Sequence, residues 1–173
     1  MKVKTLVKVV TGTLLLSGSL VANGDGGGGV APVNNELYVE ECGTCHFVYQ
    51  PGLLPERSWR KLMAGLEDHF GENAELDEVD RQKIEGYLSG NAGDHSSYKR
   101  SKKLMRSIRS GDTPLRITEI PYLAKEHREV PKGALKHEKI RSLSNCDACH
   151  RTASKGNFGE RGIDIPGYGK WDD

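Results

Sequence analysis

Two short stretches decide how this chain folds: Cys42-Gly43-Thr44-Cys45-His46 and Cys146-Asp147-Ala148-Cys149-His150. Each has the form Cys-X-X-Cys-His, and together they contain all 4 cysteines of the 173-residue chain. Two thiols at this spacing can each add to one vinyl group of a haem, while the following histidine turns its imidazole onto the iron. The stretches therefore predict two covalently bound haem c groups. The predicted attachment residues are Cys42, Cys45 and His46 for the first haem and Cys146, Cys149 and His150 for the second.

Other uses of paired cysteines fit this sequence less well. A zinc site made from two Cys-X-X-Cys pairs usually has about 15–20 residues between the pairs, whereas most of the chain separates Cys45 from Cys146. A thioredoxin-like dithiol belongs in a βαβ unit, and no strand pattern of useful length surrounds either motif. A haem-free disulfide or metal-binding module is kept as a third hypothesis, which the mass of the purified protein decides.

The hydrophobic pattern predicts a mainly α-helical protein. Only 36% of the residues are hydrophobic, which is low for a self-sufficient core, and two haems would supply the missing apolar volume. Helices are expected at 36–45, from Trp59 to Phe70 along one apolar stripe, and at 77–89 after an Asp77 cap. These three form a small unit around the first motif. A basic helix over Lys99–Arg109 and a short helix at 121–128 follow, in a less regular, loop-rich second part.

The chain divides into four predicted segments. Residues 1–24 have the lysines and the following apolar run of a secretory signal peptide, with the cleavage site open between Ser19 and Gly24. A flexible, glycine-rich linker is expected at 25–35. A first haem domain would occupy 36–95 and a second one 96–173. We therefore expect an exported protein without stable membrane insertion after signal cleavage, and not a nucleic-acid-binding protein.

Four histidines outside the motifs could supply the second axial ligand of an iron. His69 lies three residues after Leu66 on the predicted apolar stripe, which favours it for the first haem. His127 lies one helical turn after Leu123, which favours it for the second haem. His95 and His137 lie in polar surroundings and remain alternatives for the second haem.

Methionine is the other axial ligand to consider. Met63 and Met105 both survive signal cleavage, although Met63 has the spacing of a core residue. Two imidazoles would leave an iron at a lower potential than one imidazole and one thioether, because the thioether favours the reduced iron. The predicted metal ligands are His46, His69, His127 and His150.

Charge is unevenly distributed along the chain. Residues 36–95 contain 13 Asp/Glu against 5 Lys/Arg, a net −8, and residues 96–150 contain 13 Lys/Arg against 6 Asp/Glu, a net +7. The basic segment from Lys99 to Arg109 is a candidate docking surface for an acidic redox partner. The alternative is that the two charged surfaces simply attract each other.

Several short stretches together resemble the bacterial dihaem cytochrome c family, over about residues 36–168. They are His69-Phe70-Gly71-Glu72-Asn73-Ala74, Ile84 to Leu88, Arg116-Ile117-Thr118, His127-Arg128-Glu129-Val130 and Ser144-Asn145-Cys146. The resemblance implies a periplasmic electron carrier with a cytochrome c-like first domain, and with His69 and His127 completing bis-histidine ligation. It also implies a partner, a small oxygen-binding monohaem cytochrome of the sphaeroides haem protein type.

The function predicted from these features is electron transfer, which needs no catalytic residue. The alternative is a dihaem peroxidase-like enzyme, in which one iron must keep an open position for peroxide. The chain is short for such an enzyme, and spare histidines are available to close both irons. Rapid binding of carbon monoxide or peroxide to one haem of the resting protein would favour the enzyme.

Overall fold

The computed structural model describes residues 29–171, so the predicted signal peptide (1–24) lies outside the described residues. The described part is mainly helical, as predicted. Five α-helices occur in it: α1 (Glu36–Cys42), α2 (Glu56–Met63), α3 (Glu78–Gly90), α4 (Lys99–Ser107) and α5 (Pro121–Glu126). Short 3-10 turns connect them. A small antiparallel hairpin, β1 (Asp164–Ile165) and β2 (Gly169–Lys170), lies near the C-terminus.

Local sequence signals explain where several helices begin. The Asn35 side chain accepts a hydrogen bond from the backbone N–H of Tyr38 at the start of α1. Asp77 accepts from Val79 and Asp80 at the start of α3, which confirms the predicted cap. Pro121 occupies the first turn of α5, where its missing N–H costs nothing.

The predicted helix from Trp59 to Phe70 is wrong in its second half. Helix α2 ends at Met63, and the chain then makes a 3-10 turn over Leu66–Asp68. Phe70 follows with a φ of 60° and Gly71 with a φ of 99°, a left-handed pair that no helix can continue through. As a result Leu66 stays buried, whereas the Phe70 side chain is 44% exposed. His69 therefore lies in a tight turn and not on a helix face.

One main hydrophobic core crosses the predicted domain boundary at residue 95. Leu54 and Ile84 from the first half are in the same buried cluster as Leu104, Ile120 and Phe158 from the second half. A smaller cluster contains Ala134, Ile140 and Ile165. Helix α4 thus packs against the first half, although the sequence places it at the start of a second domain. The two predicted haem domains share side-chain packing.

Residues 25–28 of the predicted linker 25–35 lie outside the described residues, and the rest of it is not a linker along its whole length. Val30 is only 2% exposed, and its backbone N–H donates a hydrogen bond to the carbonyl of Gly156 at 2.8 Å. Gly156 has a φ of 74° and lies against the Val30 carbonyl, where a side chain would collide. Because Val30 buries an apolar side chain in the main core, residues 30–35 belong to the folded body.

Candidate functional site

The first Cys-X-X-Cys-His motif lies at the end of α1, and its histidine faces His69. Cys42 is the last residue of the helix. The rings of His46 and His69 have centroids 6.1 Å apart and planes inclined by 23°. The Nδ1 atom of His46 lies 2.7 Å from the carbonyl oxygen of Phe47, so the Nδ1 hydrogen can be donated there. The tight turn that the sequence did not predict is what brings His69 opposite the motif.

His69 lies in a partly desolvated setting. Its Nδ1 atom is buried without a hydrogen-bond partner. Burial, followed by the neighbouring His46 and Arg116, lowers the pKa of His69, so the ring is neutral at neutral pH. The Arg116 guanidinium lies 4.0 Å from the centre of the Phe70 ring, next to His69. A neutral imidazole is the form that binds a metal ion.

The second motif forms a 3-10 turn over Cys146–Ala148, and its histidine faces His127. The centroids of His127 and His150 lie 6.0 Å apart, with planes inclined by 67°. The Nδ1 atom of His127 lies 2.9 Å from the Leu123 carbonyl oxygen, one turn earlier in the chain. The Nδ1 atom of His150 is buried without a partner. Burial is the main cause that lowers the pKa of His150 to about 4, ahead of His127 and Arg100.

A largely apolar cavity surrounds the second histidine pair. The space between its walls, including the part open to solvent, is about 1330 Å³. Its walls come from α4, α5 and the C-terminal tail, and Phe158 lies edge-on to His150 with ring centroids 5.6 Å apart. Apolar lining residues include Leu104, Ile117, Leu123, Ile140 and Trp171. The tail reaches the motif directly, because Asp164 donates a backbone hydrogen bond to the Cys149 carbonyl at 3.0 Å.

The other candidate axial ligands make hydrogen bonds or packing contacts away from the two motif histidines. The Nε2 atom of His95 lies 2.9 Å from a carboxylate oxygen of Glu56. The Nδ1 atom of His137 accepts a hydrogen bond from the backbone of Lys139 at 3.2 Å. Met63 is buried in the main core, and the Met105 side chain packs against Gly93. The structure pairs only His69 and His127, among these six residues, with a motif histidine.

Within residues 29–171, none of the four cysteines forms a disulfide bond. Burial, followed by the charge of Glu41, raises the pKa of Cys42 to about 11. Burial, followed by the charge of Asp147, raises the pKa of Cys146 to about 12. Among residues 29–171, no group of three or more His, Cys, Asp or Glu side chains could hold a metal ion.

The two motifs adjoin each other across the surface of the protein. One shallow cavity is lined by Cys45 and His46 from the first motif and by Asn145 and Asp147 from the second. Tyr49 lies between them: its ring centroid is 5.3 Å from that of His46, and its hydroxyl donates to the Ser144 carbonyl at 2.7 Å. No sequence pattern considered above predicted a role for Tyr49. The aromatic pair Phe47 and Tyr49, directly after the first motif, was the available signal.

The residues present fit two covalently attached haems. Each site has a pair of thiols, a motif histidine and a second histidine facing it across a gap. His69 and His150 each have a buried Nδ1 atom that no protein group satisfies, and the second gap has apolar walls. A mainly helical chain with two such sites is a c-type cytochrome by its fold and its donor set.

Comparison with known proteins identifies the family. The family model "Dihaem cytochrome c" matches residues 38–158. A diheme cytochrome c structure from Rhodobacter sphaeroides is 46% identical, covers 74% of this chain and 99% of its own, and has a TM-score of 0.67. The X-ray structure of a diheme cytochrome c from Shewanella baltica is 37% identical, covers 80% of this chain and 98% of its own, and has a TM-score of 0.65. No match to a curated protein was found.

The chain therefore belongs to the dihaem cytochrome c family. It carries two covalently bound c-type haems, which confirms the cofactor predicted from the two motifs. Haems bound in this way accept and release one electron each, and the protein functions in haem-based electron transfer. Among residues 29–171, no helix combines the length and the apolar character needed to cross a membrane.

Proposed function

We propose that the protein is a periplasmic electron carrier in which two histidines bind each haem iron. His46 and His69 would bind the first iron, and His150 and His127 the second. The protein's own contribution is to hold these four imidazoles in position and to enclose the second site in apolar side chains. The observation that carries the proposal is the spacing of the two ring pairs.

The spacing agrees with the geometry of two imidazoles on one metal ion. A metal–nitrogen bond of about 2 Å and about 1.1 Å from nitrogen to ring centre, on both sides, place the ring centres about 6.2 Å apart. The observed centroid distances are 6.1 Å and 6.0 Å. Two separate pairs, each containing a motif histidine, lie at this distance.

The hydrogen bonds of two ligands support the same assignment. A metal-binding histidine usually donates its second ring N–H to a carbonyl or carboxylate, which fixes the ring and its tautomer. His46 and His127 each have Nδ1 next to a backbone carbonyl oxygen, at 2.7 Å and 2.9 Å. This tautomer leaves Nε2 of both rings unprotonated and available to the iron.

Substitution of the second histidine at each site tests the proposal. In His69→Ala or His127→Ala, one of the two irons should become high-spin and should bind carbon monoxide, while the covalent haems remain attached. His95→Ala and His137→Ala are matched controls and should keep the low-spin spectrum. If His69→Ala and His127→Ala both stayed low-spin and closed to carbon monoxide, the ligand assignment would be wrong. Carbon monoxide binding to the unmodified protein would instead favour the peroxidase-like function.

The positive charge on α4 is the basis for proposing a redox partner with an acidic surface. Lys99, Lys102, Lys103 and Arg106 are exposed on this helix, while Leu104 on its opposite face lines the second haem cavity. A partner with an acidic face would thus dock within one helix thickness of the second haem. The family resemblance makes a small oxygen-binding monohaem cytochrome c the first partner to test.

Charge reversal on α4 tests this docking surface. Lys102→Glu with Lys103→Glu should slow electron transfer to an acidic partner, and the unmodified protein should lose rate as salt is raised, because exposed charges are screened within about 10 Å at 0.1 M salt. Lys61→Glu, on α2, is the matched control. Equal rates for all three proteins, independent of ionic strength, would exclude α4 as the docking surface.

A further inference from the structure

The segment after the first motif connects the two haem sites, and Tyr49 is at its centre. On one side, its ring lies 5.3 Å from the His46 ring and 5.5 Å from the Phe47 ring, measured between centroids. On the other side, its hydroxyl donates a 2.7 Å hydrogen bond to the carbonyl of Ser144, 95 residues further along the chain. Tyr49 also lines the cavity of the second haem.

The far end of this contact is next to a haem attachment residue. The Cys146 sulfur lies 3.6 Å from the same Ser144 carbonyl oxygen to which Tyr49 donates. A continuous set of contacts therefore joins a predicted iron ligand of the first haem to a thioether sulfur of the second. It passes from the His46 ring to the Tyr49 ring, then through the Tyr49 hydroxyl to Ser144 and Cys146.

Neighbouring residues hold Tyr49 in this position. The hydroxyl of Tyr38, a residue only 3% exposed, donates to the Tyr49 carbonyl at 2.8 Å. The side chain of the fully buried Gln50 donates to the Ala153 carbonyl at 2.7 Å, which ties the next residue to the second half of the chain. Buried hydrogen bonds on both sides restrict the Tyr49 backbone, so the ring has little freedom to leave the gap.

We propose that Tyr49 is the residue that couples the two haems electronically. This inference rests on the proposed ligation of the first iron by His46. One electron leaves one iron and reduces the other, and Tyr49 gains and loses nothing: its bonds and its proton stay in place. It acts by providing a path of one ring contact and one hydrogen bond between two parts of the chain that are otherwise far apart in sequence.

Two substitutions separate the ring from the hydroxyl. Tyr49→Phe keeps the ring and removes the hydrogen bond, and Tyr49→Leu removes both. The matched control is Tyr87→Phe, because the Tyr87 hydroxyl accepts a hydrogen bond from the Asn34 backbone and the substitution keeps the ring that contacts Tyr38. The probe is the half-reduced holoprotein after a light flash, in which the rate of electron exchange between the haems is followed together with both midpoint potentials.

We expect severalfold slower exchange in Tyr49→Phe, a larger loss in Tyr49→Leu, and unchanged potentials and low-spin spectra. In the unmodified protein, the NMR signals of the Tyr49 ring should shift when either iron alone changes its oxidation state. An unchanged exchange rate in Tyr49→Phe would overturn the inference, as would an equal loss in Tyr87→Phe or a loss explained by shifted potentials. Failure of bis-histidine ligation would show separately, as a high-spin spectrum or a sulfur-to-iron band in the unmodified protein.

Discussion

At the scale of single residues, the two histidine pairs differ in the angle between their rings. The planes of His46 and His69 are inclined by 23°, and those of His127 and His150 by 67°. Two iron d orbitals of similar energy can interact with the axial imidazoles. Near-parallel imidazoles both interact with the same one of these orbitals, which separates the two in energy. Crossed imidazoles act on both orbitals about equally and leave them close in energy. Two irons bound by the proposed histidine pairs should therefore differ electronically.

This difference predicts two distinct low-spin signals in the electron paramagnetic resonance spectrum of the oxidised protein. The first haem should give an ordinary rhombic signal, and the second a highly anisotropic signal with a larger maximum g value. His69→Ala should remove only the rhombic signal, and His127→Ala only the anisotropic one. A single signal of double intensity would contradict the ring angles.

Arg116 should tune the potential of the first haem. It lies over the Phe70 ring and is close enough to His69 to lower its pKa. A positive charge near an iron disfavours the more positive, oxidised state. Removing the charge in Arg116→Gln should lower the potential of the first haem by on the order of 10–30 mV, a small effect because the guanidinium is exposed and screened. Potentiometry measures this change, and Arg109→Gln, two residues after the end of α4, is the control. A higher potential in Arg116→Gln would contradict the sign.

The sequence predicted which residues form the site better than it predicted the local structure and the contacts around them. The six motif residues follow from spacing alone, because the chemistry of thioether attachment fixes it. The sequence placed His69 on a helix, whereas the structure has it in a turn, since the reversal at Phe70 and Gly71 depends on packing around Leu66. Tyr49 was missed because its role depends on Ser144, and no local pattern relates residues so far apart.

At the scale of structural elements, the helices that carry strong local signals begin where the sequence predicts. Asp77 and Pro121 fix the starts of α3 and α5 through backbone chemistry that acts within one turn. The end of α2 and the course of residues 30–35 were not predictable in this way. Each depends on a distant contact: Leu66 on the main core, and Val30 on Gly156.

Two glycine substitutions test the difference between an element set by local signals and one that depends on a distant contact. They should have opposite effects on stability. Gly156→Ala should lower the free energy of unfolding by at least about 1–2 kcal/mol, because a side chain is strained at a φ of 74°, and the added methyl group would also collide with the Val30 carbonyl. Gly86→Ala, inside α3 with no atom within 4 Å of the added methyl group, should raise it by roughly 0.5–1 kcal/mol.

Denaturant unfolding followed by helical circular dichroism measures both changes. The haem spectrum serves as the control, since neither glycine touches a predicted ligand. A Gly156→Ala protein as stable as the unmodified one would contradict the packing of residues 30–35 against the second half of the chain.

At the scale of the whole molecule, one hydrophobic core holds two haem sites of different exposure. Cys45 and His46 are exposed in the first site, which lies in the acidic half, whereas Phe158 and α4 cover His150 in the basic half. Because the core crosses residue 95, the sites are held in a fixed relation to each other. The sequence predicted two haems and the opposite net charges of the two halves of the chain. It did not predict that both halves share one hydrophobic core.

The mass of the exported protein tests the organisation of the chain. After denaturation it should equal the polypeptide from a cleavage point between Ser19 and Gly24, plus two haems. A mass that included the first 19 residues would contradict removal of the signal peptide. A mass with one haem or none would contradict attachment at both motifs.

The most direct test of bis-histidine ligation is the optical spectrum of the unmodified holoprotein in both oxidation states. Two imidazoles on each iron predict low-spin bands in the oxidised and the reduced protein, without the weak long-wavelength band that arises from sulfur bound to iron. A sulfur-to-iron band, or a high-spin fraction close to half of the haem, would contradict the pairing of His46 with His69 and of His150 with His127.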